Sequence, residues 1–171
     1  MLKSYRSVLL LACGLAFAAG PAQALQVVVT DISKNANGTS TYHFSVKTDP
    51  GETLSAGKDF VTVYNFAGLV SGSAKSPATF AFSSRMYGET PSWDGYAAVL
   101  PIDMAGASNL TWTAKKAVPG GTEVDGFSAT TRVGSTTQGE YTAQVTVQSS
   151  KGKAAKQALI GQLPTPSYIA Q

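Results

Sequence analysis

Cysteine and histidine are almost missing from this chain of 171 residues, which holds one of each, Cys13 and His43. A disulfide framework needs paired thiols and a zinc site of usual make-up is built mainly from several Cys and His, so neither can be assembled. Charged residues are sparse at 13%, which argues against a helical bundle rich in Glu and Lys. No apolar run approaches the roughly 20 residues that a membrane-crossing helix requires. What the chain does have is abundant Thr, Ser, Gly and Ala with 43% hydrophobic residues, the composition of strands joined by tight turns rather than of a disordered tail.

The first segment has a distinct character. Lys3 and Arg6 form a cationic start, Val8 to Ala19 is an apolar stretch of about a dozen residues, and Pro21-Ala22-Gln23-Ala24 ends in the small-x-small pattern of a signal-peptidase site. Residues 1–24 therefore read as an export signal, cleaved near Ala24, and the expected location is secreted, periplasmic or cell-surface. Leu10-Leu11-Ala12-Cys13 loosely resembles a bacterial lipobox, but Leu11 fits it poorly and cutting there leaves only a stub of apolar signal. Lipidation of Cys13 is thus the weaker alternative.

Removing residues 1–24 from 171 leaves 147, enough for one domain with a substantial core. The sole cysteine leaves with the leader. So do two of the thirteen basic residues and none of the ten acidic ones, so a near-neutral chain remains and the apparent pI of 9.0 is largely a property of the leader. Nucleic acid is accordingly not an expected partner.

In the remainder, alternation dominates. Tyr42, Phe44 and Val46 oppose His43, Ser45 and Lys47; Leu110, Trp112 and Ala114 oppose Asn109, Thr111 and Thr113; Tyr141, Ala143, Val145 and Val147 oppose Thr142, Gln144 and Thr146. Phe60, Thr62, Tyr64 and Phe66 alternate with Val61, Val63 and Asn65, so both faces carry apolar members and a central, doubly covered strand is expected. Gln26 to Ile32, Thr79 to Ser83 and Phe127 to Val133 fit further strands. Turn signals separate them, including a hairpin at Asn37-Gly38, Pro119-Gly120-Gly121 and the Gly68 to Pro77 stretch. The pattern predicts an all-β fold, an antiparallel β-sandwich (jelly-roll or Ig-like) of about 7–9 strands, over residues 25–163, with 164–171 as a C-terminal tail. Lys153 to Leu159 is the one helical candidate.

Arg85 to Gly106 breaks the pattern. It holds Tyr87, Trp93 and Tyr96 with the acids Glu89 and Asp94, and connections this long are commonly functional or folded on their own cluster. These rings could stack on sugars while Glu89 and Asp94 accept hydroxyl hydrogen bonds; the bland alternative is that they cap one end of the core. They are the candidate ligand-binding residues.

No catalytic constellation accompanies them. His43 lies on a polar strand face without a Gly-x-Ser-x-Gly elbow, and no Gly loop sits between a strand and a helix to cradle phosphate. Asp31, Asn35 and Asn37 cluster near one turn, but without an Asp-x-Asp-x-Asp-Gly loop they read as turn formers rather than calcium ligands. No metal site, cofactor or enzymatic activity is expected. The sequons Asn37-Gly38-Thr39 and Asn109-Leu110-Thr111 read as chance occurrences.

Asp59-Phe60-Val61-Thr62-Val63-Tyr64-Asn65-Phe66-Ala67-Gly68 followed by the Gly/Ser loop to Ser73 resembles a segment of exported bacterial proteins of the PEP-CTERM type. Asn109 to Thr113, Gly126 to Thr131 and Gly139 to Gln144 are similar to later blocks of such proteins. The resemblance implies a secreted or surface β-rich domain of Gram-negative bacteria, associated with extracellular polysaccharide and having no catalytic residues to carry over. Such proteins finish with a Pro-Glu-Pro motif, a transmembrane helix and a basic cluster. Here Gly161-Gln162-Leu163-Pro164-Thr165-Pro166 stands at the linker position and the sequence reaches Gln171 without that tail. The expected role is a non-catalytic structural or matrix protein contacting extracellular polysaccharide or like subunits, with a lectin-like module as the alternative.

Overall fold

A computed structural model describes residues 24–86, 106–148 and 152–168. Among them are nine strands: β1 (Gln26–Lys34), β2 (Ser40–Lys47), β3 (Glu52–Thr53), β4 (Phe60–Ala67), β5 (Phe80–Met86), β6 (Ala107–Ala114), β7 (Glu123–Thr131), β8 (Thr136–Gln148) and β9 (Ala154–Pro166). They form two antiparallel sheets, a smaller one ordered β1-β2-β7 and a larger one ordered β3-β8-β4-β6-β5, with β9 on β8. Tyr141 to Gln144 of β8 pair with β4 on one edge and with β9 on the other, so β3 and β4 lie end to end along the same side of β8. The protein is an antiparallel β-sandwich, as the alternation requires.

The two inner faces meet in one core. Tyr42, Phe44 and Val46 of β2 and Phe127 and Ala129 of β7 pack against Val61, Val63 and Phe66 of β4, Leu110 and Trp112 of β6, and Ala143 and Val145 of β8. Trp112 is the centre of an aromatic cluster, with ring centroids 5.6 Å from Phe44, 5.5 Å from Phe127 and 5.7 Å from Phe82. Its indole N–H donates to the Lys75 carbonyl at 3.2 Å, so the ring is buried without orphaning its one donor.

β4 is buried on both faces, but its alternation is not the simple one of the sequence. Asn65 adopts φ 56°, and pairing with β6 slips between Val63 and Phe66. This bulge turns Phe66 into the core beside Val61 and Val63, where it meets Tyr42 edge-on at 5.5 Å, instead of leaving it on the Thr62 and Tyr64 face. That opposite face is buried too and its polar groups pair: Thr62 with Thr111 at 2.9 Å, and the Thr142 hydroxyl with the Tyr64 oxygen at 3.2 Å.

Two sequence expectations are corrected. Lys153 to Leu159 is not helical; from Ala154 on it belongs to β9, which pairs with β8 over thirteen successive positions, and this long ladder overrides the helix preference of its Ala, Lys, Gln and Leu residues. β9 also continues past Leu163, so Pro164 to Pro166 lie within the sheet and Ser167 bonds back to Ser135 through its N–H at 3.1 Å. The hairpin at Asn37-Gly38 is present, with Asn35 N–H donating to the Thr39 carbonyl at 2.8 Å. No helix among the described residues is long and apolar enough to cross a membrane.

Candidate functional site

Tyr87, Glu89, Trp93, Asp94 and Tyr96 lie outside the described residues. The described residues offer a polar face and two buried polar knots.

The polar face is the outer side of the smaller sheet. Tyr42, Phe44 and Val46 point inward, while Thr41 and His43, half-buried, lie on the opposite side with Thr130 of β7 beside Thr41; Ser45 and Ser128 are buried. The hydroxyls of Thr41 and Thr130 pair at 2.9 Å, and Ser45 donates to the Glu123 carboxylate at 3.2 Å. Two irregularities flank β2 at the same level. On β1, Thr30 is bulged between Val29 and Asp31; on β7, Asp125 and Gly126 together oppose Ser45 between Val124 and Phe127, with Gly126 at φ 94°, a conformation that favours glycine. Between the two bulges lies a groove of about 510 Å³ whose lining includes Thr30, Asp31, Ser33, His43, Asp125 and Gly126. The groove is open, with Phe44 and Phe127 also in its lining and an acid, Asp31 or Asp125, on each side.

The first knot lies under the loop between β3 and β4. Asp59 is fully buried, and its carboxylate accepts from Ser55 N–H at 2.7 Å, the Thr146 hydroxyl at 2.7 Å and Lys156 Nζ at 2.5 Å. Lys156 also donates to Thr146 at 2.6 Å, and Ser55 and Thr146 share a hydroxyl contact at 2.7 Å. Every oxygen of the acid has a partner, so the group ties the loop, β8 and β9 together. An adjoining cavity of about 350 Å³ is lined by Ser55, Ala56, Lys58, Thr146, Ala154 and Lys156. Lys156 reaches this cavity while engaged with Asp59 and Thr146.

The second knot lies where β1 begins. Leu25 is buried in the core with its backbone N–H near enough to the Glu52 carboxylate to favour its charge, and that carboxylate accepts from Asp49 N–H at 3.2 Å. Burial raises the Glu52 pKa from its ordinary 4.5, with the nearby Asp49 charge acting in the same direction and the two N–H groups opposing. The Tyr141 hydroxyl donates to the Leu25 carbonyl at 3.2 Å and accepts from Val27 N–H. Burial likewise raises its pKa above 10.0, against the Val27 N–H and helped by the Glu52 charge.

The turn residues Asp31, Asn35 and Asn37 serve the hairpin. Asn35 Nδ2 donates to the hydroxyls of Thr39 at 2.9 Å and Thr41 at 3.0 Å, Asn37 Oδ1 accepts from Thr39 N–H at 3.2 Å, and Asp31 accepts from Ser33. Among the described residues no group of three or more His, Cys, Asp and Glu side chains is placed to hold a metal ion. Sequence reasoning missed both knots. Asp59 and Lys156, or Leu25 and Glu52, carry no mutual spacing signal, and only the sheet pairing brings them together.

No family model matches the chain, and no curated protein matches it. Among solved structures it is similar to the crystal structure of ACE19, the collagen binding subdomain of the Enterococcus faecalis surface protein ACE. That similarity covers 81% of this chain and 94% of the other at 12% identity with a TM-score of 0.31. An overlap of that size does not bear on what this chain binds.

Proposed function

We propose that the protein is exported, trimmed after Ala24, and works at or beyond the cell surface as a non-catalytic β-sandwich that contacts extracellular polysaccharide through the outer face of its smaller sheet. The observation that carries this reading is the groove between the two bulges, with Asp31, His43 and Asp125 around it and the Thr41–Thr130 hydroxyl pair on the same face. Sugar hydroxyls are recognised by convergent carboxylate, imidazole and hydroxyl groups on a mostly preformed surface, and strands hold such groups more firmly than a loop does. The reading also agrees with the PEP-CTERM-like sequence blocks and with the export signal at residues 1–24.

A pull-down of the secreted protein on extracellular polysaccharide from the producing cells tests it. Wild type is retained, and a His43→Ala/Asp125→Ala double variant, changed only at partly or fully exposed positions, loses retention while keeping its unfolding midpoint. Equal retention of wild type and double variant removes the groove as the contact. Loss of retention on Trp93→Ala alone transfers the function to the Tyr87–Tyr96 stretch, and concentration-dependent scattering without polysaccharide identifies like subunits as the partner.

A further inference from the structure

The second knot places a buried acid where a cleaved chain begins. Ala24 is exposed and Leu25 is 1% exposed, so the boundary between solvent and core falls at the bond that the export signal marks for cleavage. In the uncut chain the Leu25 nitrogen is a neutral amide beside the Glu52 carboxylate, and Ala24 and Glu52 line the same cavity. Hydrolysis of the Ala24–Leu25 bond adds water across it, leaving a carboxylate on Ala24 of the departing leader and an α-ammonium on Leu25. The same nitrogen then carries three donors and a full positive charge. We propose that signal cleavage creates a structural ion pair between the new α-ammonium of Leu25 and the carboxylate of Glu52, so that the fold is completed by its own processing. This rests on the export reading above.

Several features of the site suit an ammonium. Glu52 is 7% exposed, and among the described residues its contacts are backbone N–H groups with no side-chain cation. A buried carboxylate without a counter-charge is costly, and the raised pKa of Glu52 is the measure of that cost in the uncut form. A cavity of about 200 Å³ adjoins, lined by Ala24, Asp49, Glu52, Val147 and Gln157. Departure of Ala24 opens its wall and leaves room for water on the remaining ammonium protons. The Leu25 carbonyl is held by Tyr141 and its side chain by the core, so the nitrogen cannot swing away from Glu52. The other titratable groups facing the pair are Asp49, from the turn before β3, and Tyr141, from β8; Asp49 adds negative potential that also favours the ammonium.

The experiment compares chain 25–171, released from a cleavable fusion, with chain 24–171, whose ammonium sits one residue further out, each with Glu52 and with Glu52→Gln. In the Leu25 form Glu52→Gln raises the unfolding equilibrium constant at pH 7, whereas in the Ala24 form it leaves it unchanged or lowers it. The difference between the two effects is about tenfold, equal to one pKa unit of coupling. A second readout is the α-amine itself: pH-dependent acylation of Leu25 gives a pKa above the ordinary ~7.7–8.0 that returns toward it in Glu52→Gln. Equal effects of Glu52→Gln in both forms, with an ordinary amine pKa, overturn the ion pair. Intact mass of the exported protein separates that failure from the other one. A start at Leu25 retains the export reading whatever the coupling, and a start elsewhere removes both that reading and the proposal, even if the recombinant pair couples.

Discussion

Lys156 of β9 and Asp59 ahead of β4, 97 residues apart in sequence, form an ion pair of 2.5 Å across the end of β8, with the acid fully buried and the lysine side chain 39% exposed. The pair holds an outer strand of the larger sheet to its middle. β9 pairs with β8 along one edge, and Lys156 adds a side-chain tie to the loop beyond.

Truncating one partner leaves the other stranded. Lys156→Ala should lower stability by about 2 kcal/mol, less than the ~3–5 kcal/mol of a fully buried pair because the lysine is partly hydrated. Asp59→Asn/Lys156→Met should recover most of the loss, since the new side-chain amide still accepts from Ser55 N–H and no charge remains buried. Urea midpoints of the three proteins check this; a double variant weaker than Lys156→Ala would show that the charges themselves are needed.

Gly161 faces Tyr141 across the β8–β9 ladder, and a Cβ at position 161 would lie 2.4 Å from the tyrosine ring. The ring occupies the space above the glycine, so Gly161→Val must displace either the ring or β9. The expected loss is about 2–3 kcal/mol. Gly134→Ala, where a Cβ meets nothing within 4 Å, serves as the control and should be close to neutral.

Local pattern made the strands legible and non-local pairing hid the rest. β2 and β8 each have one face in the core and a mainly polar opposite face, so Tyr42 to Val46 and Tyr141 to Val147 declare themselves by period alone. The two-sided burial of β4 was readable from its apolar residues on both faces. The inward turn of Phe66 was not, because a bulge at Asn65 is set by the partner strand and by Asn109, whose side-chain oxygen accepts Asn65 N–H at 3.0 Å. β9 failed for the converse reason: its helix-forming residues are recruited by a neighbour the sequence does not name. Both polar knots join residues from three chain segments, so no window of sequence contains them.

Among the described residues Trp112 is the largest wholly buried side chain, touching rings from both sheets, so it reports on whether the sandwich is closed. Trp112→Ala should cost about 3–5 kcal/mol, and Trp112→Phe clearly less, since it keeps most of the ring contact and gives up the bond to the Lys75 carbonyl. Thermal unfolding followed by far-UV circular dichroism measures both. An alanine variant with an unchanged midpoint would place the centre of the core elsewhere.

In any form of the protein in which the Leu25 nitrogen remains an amide, stability should fall as pH rises above 4.5. Glu52 titrates near that value when unfolded and higher when folded, because burial disfavours its charge. Between the two pKa values the folded state therefore holds more protons than the unfolded one, and the free energy of unfolding declines with pH. The contribution is greatest below pH 4.5 and is lost once the folded carboxyl has ionised. Tyr141 repeats the argument at the alkaline end: its pKa is raised above 10.0, so the unfolded chain ionises first and stability drops again beyond that pH. Urea midpoints between pH 4 and pH 11 should show both declines, and Glu52→Gln should remove the first while leaving the second. In the chain beginning at Leu25 the acidic-side decline should weaken or reverse, because the α-ammonium favours the ionised acid; identical profiles for the two chain forms would mean that the amine and the carboxylate do not interact.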